Sequence, residues 1–155
     1  MNRLNFLTLI ENEEATKNNF FYANKTTTQA VLQNTFVNIT YNNPLIKGWT
    51  YSSGQFTCGR TGIYSIDYTC LLAGLNAHTA SVRITINSIE AVGSTITQSF
   101  TNNSQFTNSC LIKINKGNVL SLQVTGGAGT ETISTILAIA GESPVLSSLK
   151  VTLLA

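Results

Sequence analysis

Charged side chains are scarce in this sequence of 155 residues. They make up only 10% of the chain, whereas soluble domains usually carry roughly 25%. Neutral Thr, Ser, Asn and Gln side chains fill the difference. Exposed helices normally need Glu, Lys and Arg, whereas strands are compatible with hydroxyl and amide side chains. The composition therefore predicts one β domain with little helix.

Clustered positive charge and long apolar runs are also missing. The net charge is only +2 and the basic residues are scattered along the sequence, so we expect no nucleic-acid partner. No apolar run reaches the roughly 18 residues that a membrane span requires. The stretch from Leu4 to Ile10 is interrupted by polar residues and followed by acids. We interpret it as an uncleaved segment rather than a classical signal peptide.

Histidine occurs once and cysteine three times, which leaves little material for chemistry. His78 falls in a predicted loop with no acid beside it in the sequence, which is typical of a surface residue. The cysteines form an odd set without metal-ligand spacing and are expected to be mostly buried, reduced thiols: Cys58, Cys70 and Cys110. The acids outside the N-terminal segment lie in unrelated stretches. The sequence thus predicts no catalytic set, no metal site and no cofactor.

Period-two alternation is the dominant positive signal. After Gly62, residues Tyr64, Ile66, Tyr68 and Cys70 fall on one face of a strand, and polar residues fall on the other. Similar short strands recur about every ten residues between Gly and Asn turns, with no helical crossover. This pattern predicts an all-β, two-sheet antiparallel sandwich of the jelly-roll type.

The alternation also predicts individual connections and contacts. Leu71 to Asn76 is interpreted as a turn, Thr101 to Gln105 as a polar loop, and Lys116-Gly117 as the tip of a hairpin that joins residues 106–115 to 119–125. Residues 133–140 are predicted to form a strand that is apolar on both faces, one of them for a subunit interface. Six residues are candidates for trimer or core contacts: Tyr64, Tyr68, Leu120, Leu122, Leu149 and Val151.

Four aromatic residues are candidates for ligand contact by stacking. Polar Asn and Thr side chains in nearby loops would complement them by binding sugar hydroxyls. Among the four, Trp49 is also typical of a packing residue beneath a loop, because its large apolar ring is costly to leave in water. The candidates are Trp49, Tyr51, Tyr22 and Tyr41.

Three patterns in order resemble the C1q/TNF-like family, specifically its C1q-type globular domain. The stretch from Phe56 to Tyr68 is similar to that family's Phe, Gly-Xaa-Tyr and aromatic strand. Residues 111–122 are similar to the region around its Gly-Asp turn. Residues 147–154 are similar to its closing strand. Asn118, Leu149 and Val151 depart from the usual residues. The resemblance covers about residues 20–155. It implies a ten-stranded jelly roll that forms a homotrimer with its termini together at the base.

The sequence therefore divides into two parts. Residues 1–19 carry three of the seven acids and are interpreted as an arm that anchors the domain to a larger particle, or as an ordinary flexible terminus. Residues 20–155 form the jelly-roll domain.

The favoured function is a non-enzymatic, homotrimeric structural or assembly module, such as a virion surface, minor capsid or fibre-head protein. It would be located on a virion or on a particle associated with the cell surface. The alternative is a C1q-like recognition module that binds carbohydrate or protein through apical loops.

Overall fold

The computed structural model describes residues 18–128, 131–134 and 144–155. These residues form twelve strands and no helix, so none of them belongs to a helix able to cross a membrane. The predicted arm up to residue 17 and the predicted strand beyond residue 134 lie outside the described residues. The strands are β1 (Phe20–Lys25), β2 (Gln29–Ala30), β3 (Val37–Asn38), β4 (Leu45–Lys47), β5 (Trp49–Ser52), β6 (Gln55–Cys58), β7 (Gly62–Ile86), β8 (Ile89–Glu90), β9 (Ile96–Ile114), β10 (Val119–Gly126), β11 (Thr132–Ile133) and β12 (Ser147–Leu153).

Two long strands, β7 and β9, connect the two layers of the sandwich. Each of them contributes one segment to each layer. Residues 62–74 of β7 pair with residues 102–114 of β9 on one side. Residues 64–70 also pair with β12 on the other side. Residues 80–86 of β7 pair instead with β10. The first layer is therefore β4-β1-β12-β7-β9 and the second is β5-β6-β10-β7-β9. Apart from the two-residue strands β2, β3, β8 and β11, each layer has five antiparallel segments, which confirms the predicted jelly-roll sandwich.

Aromatic rings from both layers meet in the core. Phe21 of β1 stacks on Phe56 of β6 with 3.9 Å between ring centroids. Trp49 packs edge-on against Phe21 at 5.1 Å and against Tyr64 at 5.2 Å. Burial of each large apolar side chain contributes about 1.5–3 kcal/mol, so this cluster is a principal source of cohesion between the layers.

Three predicted connections differ from the structure. Leu71 to Asn76 is not a turn, because β7 continues through it with a register shift between Gly74 and His78. Thr101 to Gln105 is not a loop but part of β9. The turn at Lys116-Gly117 does not close a hairpin, since Ile114 pairs with Gly62 whereas Leu120 pairs with Phe56 and Ile86. It carries the chain from one layer to the other.

The register also defines the two ends of the sandwich. Phe20 pairs with Thr152, Leu153 with Tyr64, and Gly62 with Ile114. We call this end, where the first and last strands begin and finish, the base. The opposite end, near Lys25, Gly74 and Ser147, is called the far end.

Candidate functional site

The outer face of the first layer carries several exposed apolar side chains. Along β12 every second side chain points into the core, as shown by the burial of Leu149, Val151 and Leu153. The intervening residues, such as Lys150, point outward with their counterparts on β1, β7 and β9. Alternation therefore places one set of side chains in the core and leaves the other available for contact.

Two apolar residues lie close together at the β4 edge of this face. Leu45 pairs in register with Tyr22 of β1. The side chains are 63% and 42% exposed, respectively, although both are large and apolar. We call Leu45 and Tyr22 the β4-side patch.

A second apolar group lies at the opposite edge. Leu111 of β9 is 68% exposed and is diagonal to Ile63, because Ser65 pairs with Leu111 and Ile63 with Lys113. The backbone N–H of Leu154 donates to the carbonyl of Ile63 at 2.8 Å. Ile63 and Leu154 are also exposed. We call Ile63, Leu111 and Leu154 the β9-side patch.

Polar side chains separate the two patches. Lys150 pairs in register with Asp67, whose carboxylate accepts a hydrogen bond from the Ser109 hydroxyl. The hydroxyls of Thr69 and Ser148 lie 2.8 Å apart. The face is therefore apolar at its two edges and hydrogen-bonded in its centre, an arrangement suited to contact with two different neighbours.

The candidates for ligand stacking have different environments. Trp49 is only 7% exposed and Tyr41 is buried, so both rings belong to the core. The Tyr51 hydroxyl accepts from the Tyr41 N–H at 2.7 Å and donates to the Tyr41 carbonyl at 3.2 Å, which holds Tyr51 against the β3–β4 connection. Only Tyr22 has a largely open ring, and it lies in the β4-side patch.

The six candidates for trimer or core contacts are all buried within the chain itself: Tyr64, Tyr68, Leu120, Leu122, Leu149 and Val151. Burial raises the pKa of Tyr68 to about 12, and its hydroxyl donates to the Ser94 carbonyl at 2.8 Å. Burial likewise raises the pKa of Tyr64. These residues hold the layers together and leave the outer face to other side chains.

His78 is not the exposed loop residue that the sequence predicted. It lies in β7, is buried, and its Nδ1 is 3.4 Å from Oε1 of Glu131, which is also buried. That carboxylate oxygen accepts from the backbone N–H groups of Gly127 and Ala128 at 3.1 and 3.0 Å. The acid is distant in sequence, so no local pattern signalled the pair.

Two glycines leave room for this pair. A Cβ at Gly74 would overlap the imidazole of His78, and a Cβ at Gly126 would overlap the carboxylate of Glu131. Phe100 covers the imidazole with 5.9 Å between ring centroids. Because both side chains are enclosed, the pair supports the far end rather than reaching a substrate.

A second buried polar group, Lys25, lies in the same half of the molecule. Its ammonium donates to the Thr40 carbonyl at 2.9 Å and to the Thr40 hydroxyl at 3.2 Å. Burial lowers the pKa of Lys25.

Within the described ranges no group of three His, Cys, Asp or Glu side chains could hold a metal ion. The three cysteines are free thiols.

Comparison with known proteins adds a family and a fold. A family model described as the BclA C-terminal domain matches residues 20–140. No curated protein matches the chain. Among solved structures, the globular domain of zebrafish complement 1qA is similar with a TM-score of 0.57 at 13% sequence identity, and the match covers 88% of this chain and 98% of that one. At this identity the likeness shows a shared fold, which confirms the predicted C1q/TNF-like resemblance.

Proposed function

The chain belongs to the BclA C-terminal domain family, and on that premise we propose that it is a non-enzymatic module that assembles into a homotrimer on the surface of a larger particle. Domains of this C1q-like kind are structural or recognition modules. The trimer is also what the resemblance of residues 20–155 to the C1q/TNF-like family implies. The position of exposed apolar side chains on the outer face carries the proposal for this chain.

The two patches lie at opposite edges of one face, which favours a ring. In a two-fold dimer a surface patch meets its own copy, whereas in a head-to-tail contact one patch meets a different patch on the next copy. The β4-side patch and the β9-side patch can pair in the second way, and such contacts close a ring when the rotation between copies is regular. Exposed Leu and Ile side chains gain about 25 cal/mol per Å² of apolar area on burial.

The proposed place of assembly is the surface of a larger particle on which many copies lie close together. The low fraction of charged side chains is compatible with dense packing of many copies. Residues 1–19 are proposed as the arm that attaches the domain to its particle. A virion surface, minor capsid or fibre-head role stays a prediction about which particle this is.

The experiment is the solution mass by light scattering, at low and high salt. We expect three times 16.7 kDa for the unaltered protein, because an apolar contact survives salt. Leu111→Asp places a charge in the β9-side patch and should give the monomer mass. Val92→Asp is the matched control, since Val92 is 98% exposed in the β8–β9 connection. A monomer mass for the unaltered protein would refute the trimer.

A shallow groove on the second layer favours recognition as a second candidate function. Its cavity volume is about 200 Å³. It is lined by uncharged hydroxyl and amide side chains with glycine backbone between them: Asn34, Thr79, Ser81, Thr125, Gly126 and Gly127. Such groups can exchange hydrogen bonds with the hydroxyls of a sugar. The groove lies towards the far end, where the alternative interpretation expects a ligand.

A glycan array tests this candidate. We expect binding that weakens when Thr125→Val removes a hydroxyl from the groove and keeps the shape of the side chain. Thr107→Val on the outer face of the first layer is the control, because Thr107 is exposed on β9 and outside the groove. Absence of binding to every glycan at high avidity would refute carbohydrate recognition and leave the trimer proposal unaffected.

A further inference from the structure

Four positive charges that are scattered in the sequence lie at the base, along a line of connected segments that runs from β4 to β9. The side chains are exposed and come from different elements, and we call them the basal cationic surface: Lys47, Arg60, Lys113 and Lys116. The segments touch directly. The Gly59 N–H donates to the Gly48 carbonyl at 3.0 Å, and the Lys116 N–H donates to the Thr61 hydroxyl at 2.9 Å. Lys113 pairs in register with Ile63.

No acid of the described ranges neutralises this surface. Glu131 is buried beside His78 at the far end. Glu90 faces Arg83 at 3.7 Å, and Asp67 accepts from Ser109 on the outer face. The four cations therefore face solvent as like charges, and such an arrangement attracts a negatively charged partner.

The polypeptide enters the domain across this surface. A Cβ at Gly48 would overlap the Asn19 side chain and lie 2.8 Å from the Asn18 carbonyl. Residues 18–19 therefore cross Gly48, next to Lys47 and within one residue of the segment that carries Arg60. The Asn19 carbonyl accepts from the Leu153 N–H at 3.0 Å, which fixes the point of entry.

Acidic residues precede this point within reach. Glu11, Glu13 and Glu14 are three of the seven acids of the chain and lie within a stretch of four residues. An extended chain spans at most about 3.5 Å per residue, so Glu14 can lie up to about 14 Å from Asn18 and Glu11 up to about 25 Å. All three carboxylates can therefore reach the basal cationic surface.

We propose that the Glu11–Glu14 segment docks on the basal cationic surface of the same chain. Individual exposed ion pairs are weak, but several carboxylates on a short tether meet several cations at a high effective concentration. The contact offsets the excess positive charge of the basal cationic surface. It holds the segment against the base, so the domain is carried on a fixed support rather than on a loose tether.

The test is zero-length carbodiimide cross-linking of the full chain, followed by mass spectrometry of the peptides. At low salt we expect amide bonds from Glu11, Glu13 or Glu14 to Lys47, Lys113 or Lys116. Their yield should fall at least about fivefold in about 0.5 M NaCl, because salt at this concentration screens exposed charges over a few ångströms. Exposed Lys150, on the outer face of the first layer, is the internal reference.

An equimolar mixture of isotope-labelled and unlabelled protein, unfolded and refolded together so that copies mix within any assembly, separates the two possible origins of a cross-link. Cross-links within one isotope class support docking on the same chain. Mixed cross-links above the dilution control, or a yield at Lys150 equal to that at the three basal lysines, would overturn the proposal.

A second measurement is independent of cross-linking chemistry. The triple variant Glu11→Gln, Glu13→Gln, Glu14→Gln should raise amide hydrogen exchange at residues 47–48, 59–61 and 115–117 by at least about threefold. Glu90→Gln, which removes an acid away from this surface, should leave these amides unchanged. Equal exchange in the triple variant and the unaltered protein would also overturn the proposal.

Discussion

Glu131 is the residue on which the far end depends most directly. Its carboxylate accepts two backbone N–H groups from residues 127 and 128 and lies beside His78. A buried carboxylate is costly unless it is hydrogen-bonded, and here the contacts join the segment of residues 127–128 and His78 of β7 to Glu131. The carboxylate thus adds to the backbone contact to β7 at this point, where the Gly127 N–H also donates to the Thr79 carbonyl at 2.7 Å.

Neutralising Glu131 while keeping its size should destabilise the protein. Glu131→Gln loses charge-assisted hydrogen bonds in a buried site, so we expect the free energy of unfolding to fall by about 1–3 kcal/mol. Urea denaturation at neutral pH measures this. The matched variant Glu90→Gln alters a half-exposed acid that faces Arg83 and should change the free energy of unfolding by less than about 0.5 kcal/mol. Equal losses in both variants would contradict the structural role given to Glu131.

Cysteine reactivity provides a second prediction for single residues. Burial raises the pKa of the Cys70 thiol to about 12, so the reactive thiolate is scarce at pH 8 and the sulfur is enclosed. In the folded protein Cys70 should resist alkylation by iodoacetamide and become reactive only in urea. Half-buried Cys110, whose pKa is also raised by burial, should be labelled before Cys70. Peptide mapping by mass spectrometry follows both, and rapid labelling of folded Cys70 would contradict the predicted burial.

Sequence patterns predict residues whose environment is set by local alternation. Tyr64, Tyr68 and Val151 are in the core as the period-two pattern required. The burial of His78 could not be predicted from local alternation, because its partner Glu131 is brought to it by the pairing of β11 with β7. The stacking candidates show the same limit in Tyr41, whose burial is not revealed by its loop-like neighbours, whereas the sequence already indicated packing as one role of Trp49.

At the scale of elements, β7 and β9 determine the architecture. Each continues from one layer to the other, so the chain changes layer within a strand as well as at turns. Strand positions could be predicted because alternation is local. Pairing could not, because the turn residues Asn115 to Asn118 are compatible both with a hairpin and with a crossing between layers.

The crossing turn between β9 and β10 makes a prediction about backbone conformation. Gly117 has a φ of 85°, and an added Cβ would meet no atom within 4 Å, so any cost of substitution comes from the backbone. Gly117→Ala should lower the free energy of unfolding by about 1 kcal/mol, and Gly117→Asn by less, because Asn tolerates positive φ better than Ala. Urea denaturation compares the two. An Asn variant as unstable as the Ala variant would contradict this explanation.

At the scale of the whole molecule, the proposed trimer depends on which patches meet. If contacts are head-to-tail, the β4-side patch of one copy lies against the β9-side patch of the next. Each copy then uses both patches once, and damage to either one opens the ring. A two-fold contact would instead pair like with like, so damage to one patch would leave the other contact intact.

Mixing two variants distinguishes these arrangements. Leu45→Asp damages the β4-side patch and Leu111→Asp the β9-side patch, so a head-to-tail assembly predicts that each variant alone is monomeric. In an equimolar mixture the intact β9-side patch of the first variant can bind the intact β4-side patch of the second. Because neither partner has a further intact patch, assembly should stop at twice 16.7 kDa.

Light scattering should give the mass of a dimer. Native mass spectrometry with one variant isotope-labelled should show that this dimer contains one copy of each variant. Homodimers of either variant alone would instead indicate that like patches meet, and would replace the ring with a two-fold contact. A mixture of Leu45→Asp with Val92→Asp is the control. Since Val92→Asp keeps both patches, it can extend a chain of contacts, and this mixture should still contain species of three times 16.7 kDa.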